Sequence, residues 1–468
     1  MSFMGILFPH FSPASHPCKL LSFSFMDNWE IWLCCGGRHG EFPRLQKLFM
    51  WSCRKLTGEL LIHLPPLKKL YLDRCPQLLV PTLNVSAACG LHLKRQACGF
   101  TALQTSDIEI SNVSQLKQLP VVPHDLFITK SDSVESLLEE EILQTNMHRL
   151  EICCCSFSIS PSKVGLPTTL KLLSISNCTK VDLLLPVLFR CHHPVLKRLW
   201  INGGTYDNSL PLSFSILDIF PRLTEFKIND LEGLEKLRIS ISEGDPTSVR
   251  KLEIRRCPNL VYIQLPAVNS MYHEISNFST HSSLQQLRLE DCPEVLFHGE
   301  GLPSNLRELQ IFGCNQLVSQ MDWDLQRLTS LTGFTILGGC EDAELFPKEC
   351  LLPSSLTSLK IVKLPNLKSL DSKGLQKLTS LVKLWIMDCP ELQSLTEAGL
   401  HHLTSLEILN IHKCPKLQYL TKERLPDSLS HLNVCECPSL EQRCQFEKGP
   451  EWRHISHISK IVIGNVLF

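Results

Sequence analysis

Apolar residues recur along this chain at a fixed spacing, with a period of about 25 residues. The stretch Leu381 to Leu406 reads LVKLWIMDCPELQSLTEAGLHHLTSL, and in it Leu384 and Ile386 flank Trp385. This alternation of apolar and outward residues is the pattern of a β-strand, whose successive side chains point to opposite faces. The next copy places Leu409 25 residues after Leu384. The sequence therefore predicts one strand in each copy.

The repeated unit has the form L-x-x-L-x-I-x-x-C-x-x-L, which is the pattern of a leucine-rich repeat. A unit of this kind cannot bury its apolar edge alone, so its copies must stack into a solenoid. We predict an α/β horseshoe with a parallel concave β-sheet, and short helices, 3-10 turns and irregular loops on its convex side. Residues 1–22 are expected to form an irregular apolar segment, and residues 23–468 a single domain of about 17 rungs. The first inward residues of the predicted strands are Leu48, Leu70, Leu91, Ile108, Leu126, Leu150, Leu173, Leu199, Phe226, Leu252, Leu287, Leu309, Phe334, Leu359, Leu384, Leu409 and Leu432.

Cysteine recurs at one position, five residues after the first inward residue of the strand. One cysteine per rung at one site predicts a ladder of buried thiols that hydrogen-bond open backbone groups rather than pair with each other. A metal site at Cys153-Cys154-Cys155, or at Cys435 with Cys437, lacks the paired C-x-x-C spacing of zinc sites, so no metal is predicted. A reduced ladder favours a cytoplasmic location. The predicted ladder consists of Cys53, Cys75, Cys178, Cys257, Cys292, Cys314, Cys389, Cys414 and Cys437.

Composition and charge exclude some classes of protein but do not identify the function. Hydrophobic residues make up 43% of the 468 positions and charged ones 20%, as in an ordinary folded protein. The 46 Lys and Arg balance the 47 Asp and Glu, so nothing calls for a nucleic acid or an anionic membrane. No apolar run is long enough to span a bilayer. The apolar N-terminus has no preceding basic residue and is interrupted by Pro9, which argues against a signal peptide.

Motifs of enzymes and of cofactor binding are absent from the sequence. It contains no phosphate-binding loop, no dinucleotide fingerprint, no G-x-S-x-G and no H-E-x-x-H. The pairs His192-His193 and His401-His402 fall in connections, where a surface position is expected rather than a ligand pair. We therefore predict a binding protein that has no catalytic residues and no cofactor.

The outward slots of the strands are the candidate binding residues. Stacked strands about 4.8 Å apart would make a concave sheet on the order of 80 Å long, which suits a protein partner better than a small molecule. Large aromatic residues and arginine are the usual hot spots of protein interfaces. The alternative is that the exposed aromatic side chains only pack over their neighbours along the sheet. The predicted partner-binding residues are Tyr71, Trp200, Arg255, Arg288, Phe312 and Trp385.

Several motifs together resemble a known family. The rungs of form L-x-x-L-x-I-x-x-C-P-x-L, the connections LPSSL and GLQKLTSL, the segment NWEIWLCCGGRHGEFPRLQKL and the ending CPSLEQRCQFEKGPEWRHISHI resemble the leucine-rich-repeat region of plant nucleotide-binding disease-resistance proteins of the coiled-coil class. The resemblance runs from about Phe23 to the C-terminus. It implies a role in innate immunity, in which the repeats sense a pathogen effector or an altered host protein and hold a nucleotide switch inactive until then. The receptor's own nucleotide-binding domain is a second partner in that family.

The sequence departs from the family in one respect. The coiled coil and the nucleotide-binding domain that would precede the repeats are not in it, so ADP or ATP binding cannot be carried over. We expect a truncated copy that is poorly soluble by itself, because a solenoid cut before its first rungs exposes an unpaired edge. The alternatives are a substrate-recognition subunit of a ubiquitin ligase, which would carry an F-box, and a non-functional gene fragment. A cell-surface receptor would need a signal peptide, cysteine-pair caps and a membrane span.

Overall fold

The chain folds into two compact units, Met1–Thr205 and Tyr206–Phe468. The computed structural model describes residues 19–26, 28–31, 46–59, 69–73, 78–79, 90–94, 107–110, 125–129, 138, 147–158, 166–188, 192–207, 212–215, 220–240, 249–264, 284–297, 302–319, 325–339, 343–395, 399–464 and 466–467. Each unit is built on its own run of parallel strands.

Unit one contains a main parallel sheet and one small pair of strands. Its strands are β1 (Leu20–Ser24), β2 (Lys47–Trp51), β3 (Gly58–Glu59), β4 (Lys69–Asp73), β5 (Leu78–Leu79), β6 (Gly90–Lys94), β7 (Asp107–Ile110), β8 (Asp125–Thr129), β9 (Arg149–Cys153), β10 (Leu172–Cys178) and β11 (Arg198–Thr205). The main sheet runs β1, β2, β4, β6, β7, β8, β9, β10, β11, and each strand is parallel to the next. The short strands β3 and β5 pair separately. Each strand therefore meets the next copy of the repeat, as stacking requires.

Unit two repeats this arrangement with more strands. They are β12 (Leu212–Ser215), β13 (Glu225–Glu232), β14 (Lys236–Ser240), β15 (Lys251–Arg255), β16 (Tyr262–Gln264), β17 (Gln286–Glu290), β18 (Leu296–Phe297), β19 (Glu308–Phe312), β20 (Gly333–Leu337), β21 (Leu345–Phe346), β22 (Ser358–Val362), β23 (Ser369–Leu370), β24 (Lys383–Met387), β25 (Ile408–His412), β26 (His431–Cys435), β27 (Lys460–Ile463) and β28 (Val466–Leu467). The main sheet runs β13, β15, β17, β19, β20, β22, β24, β25, β26, β27, all parallel. The last strand, β28, is antiparallel to β27.

Short helices lie in the connections. They are α1 (Leu185–Leu188), α2 (Asn315–Ser319), α3 (Ser372–Gln376), α4 (Pro438–Arg443) and α5 (Trp452–Ile455), with 3-10 turns at Val181–Leu183, Leu325–Arg327 and Leu400–His402. Helix α3 has an N-cap in Asp371, whose side chain accepts a hydrogen bond from the backbone N–H of Lys373 at 3.0 Å. In the described part of the chain, no helix combines the length and the apolar character needed to cross a membrane.

The alternation of apolar and outward residues in the sequence matches the alternation of buried and less buried side chains in strands such as β24. In β24, Leu384 and Ile386 are fully buried, whereas Lys383 is exposed and Trp385 and Met387 are half-buried. A strand covers each of the predicted apolar pairs, and the buried leucines and isoleucines of successive strands pack into one layer beneath each main sheet. The predicted fold class, a solenoid of leucine-rich repeats built on parallel strands, is confirmed.

Two features of the strands were not expected. Strand β1 begins at Leu20, so extended structure starts before residue 23. In unit two, β12, β14, β16 and β18 form a second parallel sheet in the connections. Strands β16 and β18 have only three and two residues, too few to show a period of two. The alternation of Leu237 and Ile239 in β14 was readable from the sequence but was not used to predict a strand. The single domain of about 17 rungs stays a prediction.

Several main strands are directly followed by a residue with left-handed backbone, as in Asp388 (φ 56°), Lys413 (φ 56°) and Glu436 (φ 55°). The N–H of Asp388 bonds to the carbonyl of His412 at 2.8 Å, and that of Lys413 to the carbonyl of Cys435 at 3.0 Å. These bonds continue the backbone hydrogen bonding between neighbouring strands beyond the end of the strand. They offset the roughly 1–2 kcal/mol that the left-handed conformation costs an L-residue. The turn they make brings the next residue, the cysteine of the repeat, back into the core.

Candidate functional site

The side of each main sheet that the core leaves uncovered is the candidate binding surface. We call it the open face; it holds the residues that alternate with the buried pair of each strand, such as Trp385 in β24. Strand register aligns these residues in rows across neighbouring strands. One row in unit two contains Lys227, Glu253, Arg288 and Gln310, and the adjacent row contains Asn229, Arg255, Glu290 and Phe312.

The centre of this surface is a buried carboxylate. Glu253 is only 1% exposed, although it lies on the open face of β15. One of its oxygens lies 3.5 Å from Nζ of Lys251 and 3.6 Å from Nζ of Lys227. The other oxygen contacts the guanidinium of Arg255 and lies 3.9 Å from Nε of Arg288. A charge buried among four cations is tolerated because it is paired, and it fixes the side chains that surround it.

Two further carboxylates complete what we call the Glu253 cluster: Glu253, its four cations, Glu225 and Glu290. Glu225 lies 2.8 Å from Nζ of Lys227, and Glu290 lies 2.7 Å from a terminal nitrogen of Arg288 and 3.3 Å from Nε of Arg255. Burial, and then the charge of Arg288, lower the pKa of Arg255, but its guanidinium group remains cationic at neutral pH. The cluster thus has four positive and three negative side chains.

Arg288 connects the cluster to an aromatic ring. Its guanidinium carbon lies 4.4 Å from the centre of the Phe312 ring, and its nitrogens donate to Glu290 at 2.7 and 3.0 Å and to Gln310 at 3.2 Å. A cation over an aromatic face gains about 0.5–2 kcal/mol, depending on its hydration. With three polar contacts and one ring contact, the guanidinium has a fixed position and a fixed orientation.

Two more aromatic residues of the open faces lie beside a cation, whereas Phe49 and Trp51 of β2 stack on each other with their ring centres 5.5 Å apart. Nζ of Lys360 lies 4.5 Å from the Trp385 ring in unit two, and in unit one Arg198 lies 5.8 Å from the Trp200 ring. The side chains of Trp385 and Trp200 are half-buried rather than fully exposed. Both tryptophan rings therefore contact a cation of the sheet.

The six predicted binding residues do not form one group. Arg255, Arg288 and Phe312 lie together on the neighbouring strands β15, β17 and β19. Trp385 lies on β24, three strands beyond β19, or roughly 14 Å at the usual strand spacing. Trp200 and Tyr71 are in unit one, and for Tyr71 only the backbone, between Phe49 and His92, is described. Their role as partner-binding residues stays a prediction.

The described cysteines of the ladder are buried, and each makes the same type of hydrogen bond. Cys75 lies outside the described residues; the other eight predicted ladder cysteines are buried free thiols. Their Sγ–H groups donate to the carbonyl two residues earlier, as in Cys314 to Phe312 at 3.3 Å and Cys389 to Met387 at 3.5 Å. The hydrogen bond with Cys292 and then burial raise the pKa of Cys257, so this thiol stays protonated and unreactive.

Cys155 also occupies a ladder position that sequence reasoning missed. It is 2% exposed and its Sγ–H donates to the carbonyl of Cys153 at 3.4 Å, like the other ladder thiols. The signal was present, because Cys155 follows Leu150 by the same five residues that separate Leu173 from Cys178. Cys153-Cys154-Cys155 was instead considered only as a possible metal site.

The chain is similar to a plant protein. It is 33% identical over 288 residues to "Putative disease resistance protein At3g14460" of Arabidopsis thaliana. The match covers 57% of this chain and 20% of the relative, so it spans about one fifth of that protein's length. The predicted resemblance to plant disease-resistance proteins is confirmed by this similarity. No protein-family model matches the chain.

Solved structures include two distant likenesses. The crystal structure of the TLR13–ssRNA13 complex is 14% identical, with a TM-score of 0.42, over 86% of this chain and 70% of that chain. The crystal structure of CroV588, a circular leucine-rich-repeat protein, is 17% identical, with a TM-score of 0.38, over 85% of this chain and 62% of that one. At this degree of likeness, neither structure bears on the function.

Proposed function

We propose that this leucine-rich-repeat chain, similar to a disease-resistance protein of Arabidopsis thaliana, is a protein-recognition module of plant innate immunity. The docking surface is the Glu253 cluster together with Phe312, on the open face of unit two. The observation that carries the proposal is the fixed geometry of Arg288, held between Glu290, Gln310 and the Phe312 ring. The role is binding, without a reaction.

Rigidity is what makes this surface suitable for docking. A partner that docks on flexible Lys and Arg side chains must order them, at about 0.5–1.5 kcal/mol for each immobilised side chain. Here the ion pairs of Glu253 and Glu290 have already ordered Arg255 and Arg288. Arginine and aromatic residues are the types enriched among interface hot spots. The cluster therefore presents residue types that are typical of hot spots, and a partner would lose little free energy in ordering their side chains.

The charge of the surface indicates what the partner presents. With four cations against three carboxylates, the cluster has one uncompensated positive charge, and its cationic side chains are 25–40% exposed. A partner carboxylate can approach these cations, and apolar side chains can cover the exposed part of Phe312. Complementary charge gives such a complex its specificity and its association rate more than its affinity.

The finer assignment follows the resemblance. The partner is a pathogen effector or a host protein that an effector has altered, and binding takes place in the cytoplasm. In a longer protein the same repeats would regulate a nucleotide switch located on another domain. These steps rest on the similarity to disease-resistance proteins, with which the geometry of the open face is compatible.

Proximity labelling in plant cells tests the proposal. The full chain, fused to a labelling enzyme, is compared with the double variant Arg288→Ala/Phe312→Ala in healthy and infected tissue. Arg327→Ala and Phe446→Ala are matched controls, because they remove exposed side chains of the same types outside the main sheet. Circular dichroism and thermal unfolding of the purified variants establish that the fold is kept.

We expect a protein, enriched in infected tissue, whose labelling is lost with the double variant and kept with both controls. Labelling that is the same for wild type and the double variant would contradict the proposal. A ubiquitin-ligase scaffold as the main labelled protein would favour the substrate-recognition subunit instead.

A further inference from the structure

Three potential metal ligands converge at the end of the open face of unit two. His412 is the last residue of β25 and Cys435 the last residue of β26, and strand register places them side by side. Glu436 follows Cys435 in the left-handed conformation, with φ of 55°. The ligand atoms of the three side chains all lie within 4.8 Å of one another. His412 Nε2 and a carboxylate oxygen of Glu436 are 3.0 Å apart.

We propose that His412, Cys435 and Glu436 form a binding site for a borderline-soft divalent cation such as Zn²⁺. Imidazole nitrogen, thiolate sulfur and carboxylate oxygen are the three ligand types of protein zinc sites. Ca²⁺ and Mg²⁺ prefer oxygen ligands alone, so a site with nitrogen and sulfur selects against them.

The geometry is within reach of a tetrahedral site. Zinc binds its ligands at about 2.0–2.3 Å, which in a tetrahedron separates the ligand atoms by roughly 3.3–3.8 Å. The three atoms are at most about an ångström beyond this range, and small side-chain rotations can close that distance. The Glu436 side chain is 55% exposed and that of His412 29%, so neither is locked by packing.

Cys435 differs from the ladder thiols in the way that metal binding requires. Cys437, two residues on, is buried, and its Sγ–H donates to the carbonyl of Cys435 at 3.3 Å. Cys435 itself is half-buried on the open face and is a free thiol. A thiol with access to solvent can lose its proton to a metal, whereas a buried one that donates to the backbone cannot do so without breaking that bond.

The competing interpretation is an ordinary surface ion pair. A carboxylate oxygen of Glu436 lies 3.0 Å from Nε2 of His412, and the other lies 3.9 Å from Nζ of Lys413. Without a metal, Glu436 would only pair with these two side chains. Such an ion pair does not involve the thiol of Cys435. The role of Cys435 therefore separates the two interpretations.

Cobalt titration tests the site. Purified, reduced full chain is stripped with a chelator and titrated with Co²⁺, which absorbs in the near ultraviolet when a thiolate binds it and in the visible range when four-coordinate. We expect one equivalent of Co²⁺ with a thiolate band, displaced by Zn²⁺. The band should be absent in Cys435→Ser, and affinity should fall about tenfold or more in His412→Asn.

Matched controls are available in the chain. Cys154→Ser removes an exposed thiol in unit one, and His401→Asn removes a histidine that, like His412, lies beside a glutamate. Both should bind Co²⁺ like the wild type. A thiolate band that survives in Cys435→Ser, or that Cys154→Ser also removes, would refute the site. Absence of a thiolate band from the wild type would refute it as well.

Discussion

Replacing Glu253 by glutamine is the sharpest perturbation of the open face. The substitution keeps the size and shape of the side chain and removes only its charge. Four cations that now share one carboxylate, Lys227, Lys251, Arg255 and Arg288, are then left facing each other around a neutral amide. Glu225 and Glu290 remain, but neither contacts all four. We expect the strands β13, β15 and β17 to be destabilised locally.

The size of the effect follows from distance and exposure. An ion pair at about 4 Å is worth roughly 1 kcal/mol in water and roughly 4 kcal/mol at an effective dielectric constant of 20. Against this, glutamine avoids the desolvation of a buried carboxylate, which costs several kcal/mol. Breaking a fully buried pair costs about 3–5 kcal/mol, but the cations here are 25–40% exposed and keep part of their hydration. We therefore expect a loss of about 1–3 kcal/mol.

Hydrogen exchange is the assay of choice, because a long repeat array need not unfold in a single step. The free energy of local opening is measured for the backbone amides of β15 in the wild type and in Glu253→Gln. The loss should be largest at low salt and smaller in about 1 M salt, where the Debye length is about 3 Å and repulsion between the cations is screened. Glu308→Gln, at an exposed position on the same face, is the control and should change stability by under about 0.5 kcal/mol. An unchanged or more stable β15 at low salt would refute the reasoning.

Further perturbations test other parts of the fold. His193 is buried, so the surface position expected for it was wrong. This burial lowers the pKa of His193 from 6.5, and its Nε2 lies 3.1 Å from the carbonyl of Leu188. A base with a lowered folded pKa stabilises above its unfolded pKa, so unit one should lose stability as pH falls below about 6.5, by at most about 1.4 kcal/mol per pH unit. His193→Gln should flatten this dependence in thermal unfolding, and an unchanged slope would contradict the assignment. Gly204→Ala should cost more than about 2 kcal/mol, since φ is +114° and its Cβ would lie 1.9 Å from the Cys178 carbonyl oxygen; a variant with wild-type thermal stability would contradict this. Cys389→Ala should cost about 1–2 kcal/mol in urea unfolding because it leaves a small cavity in the core, and reductant should not change the wild-type midpoint; a midpoint lowered by reductant would indicate a disulfide instead.

The fold could be predicted from the sequence because its strands obey a strict local rule. Leu384 and Ile386 are buried and Trp385 between them is not. An apolar pair with this spacing of two residues occurs in the sequence of every copy. The left-handed residue at the strand end was not predicted, because most of its occupants are not glycine. Asp388, Lys413 and Glu436 have little in common beyond their position.

The residues of the candidate docking surface could be predicted less completely than the fold. The sequence places Glu253 at an outward slot, where a glutamate would normally be solvated, and only the neighbouring strands reveal that four cations bury it. Likewise, His412 and Cys435 are 23 residues apart and become neighbours through strand register. Contacts between repeats depend on which residue types face each other across two strands. A single copy of the repeat does not contain that information.

The measurement that tests the central claim most directly is the affinity of the labelled partner for purified variants of the full chain. If the Glu253 cluster is the docking surface, Phe312→Ala and Arg288→Ala should each weaken binding by at least about 2 kcal/mol, or roughly 30-fold, as hot-spot residues do. Arg327→Ala and Phe446→Ala should stay within about twofold of the wild type. Equal affinities for all four variants, each with its fold intact, would place the docking surface elsewhere on the chain and contradict the account.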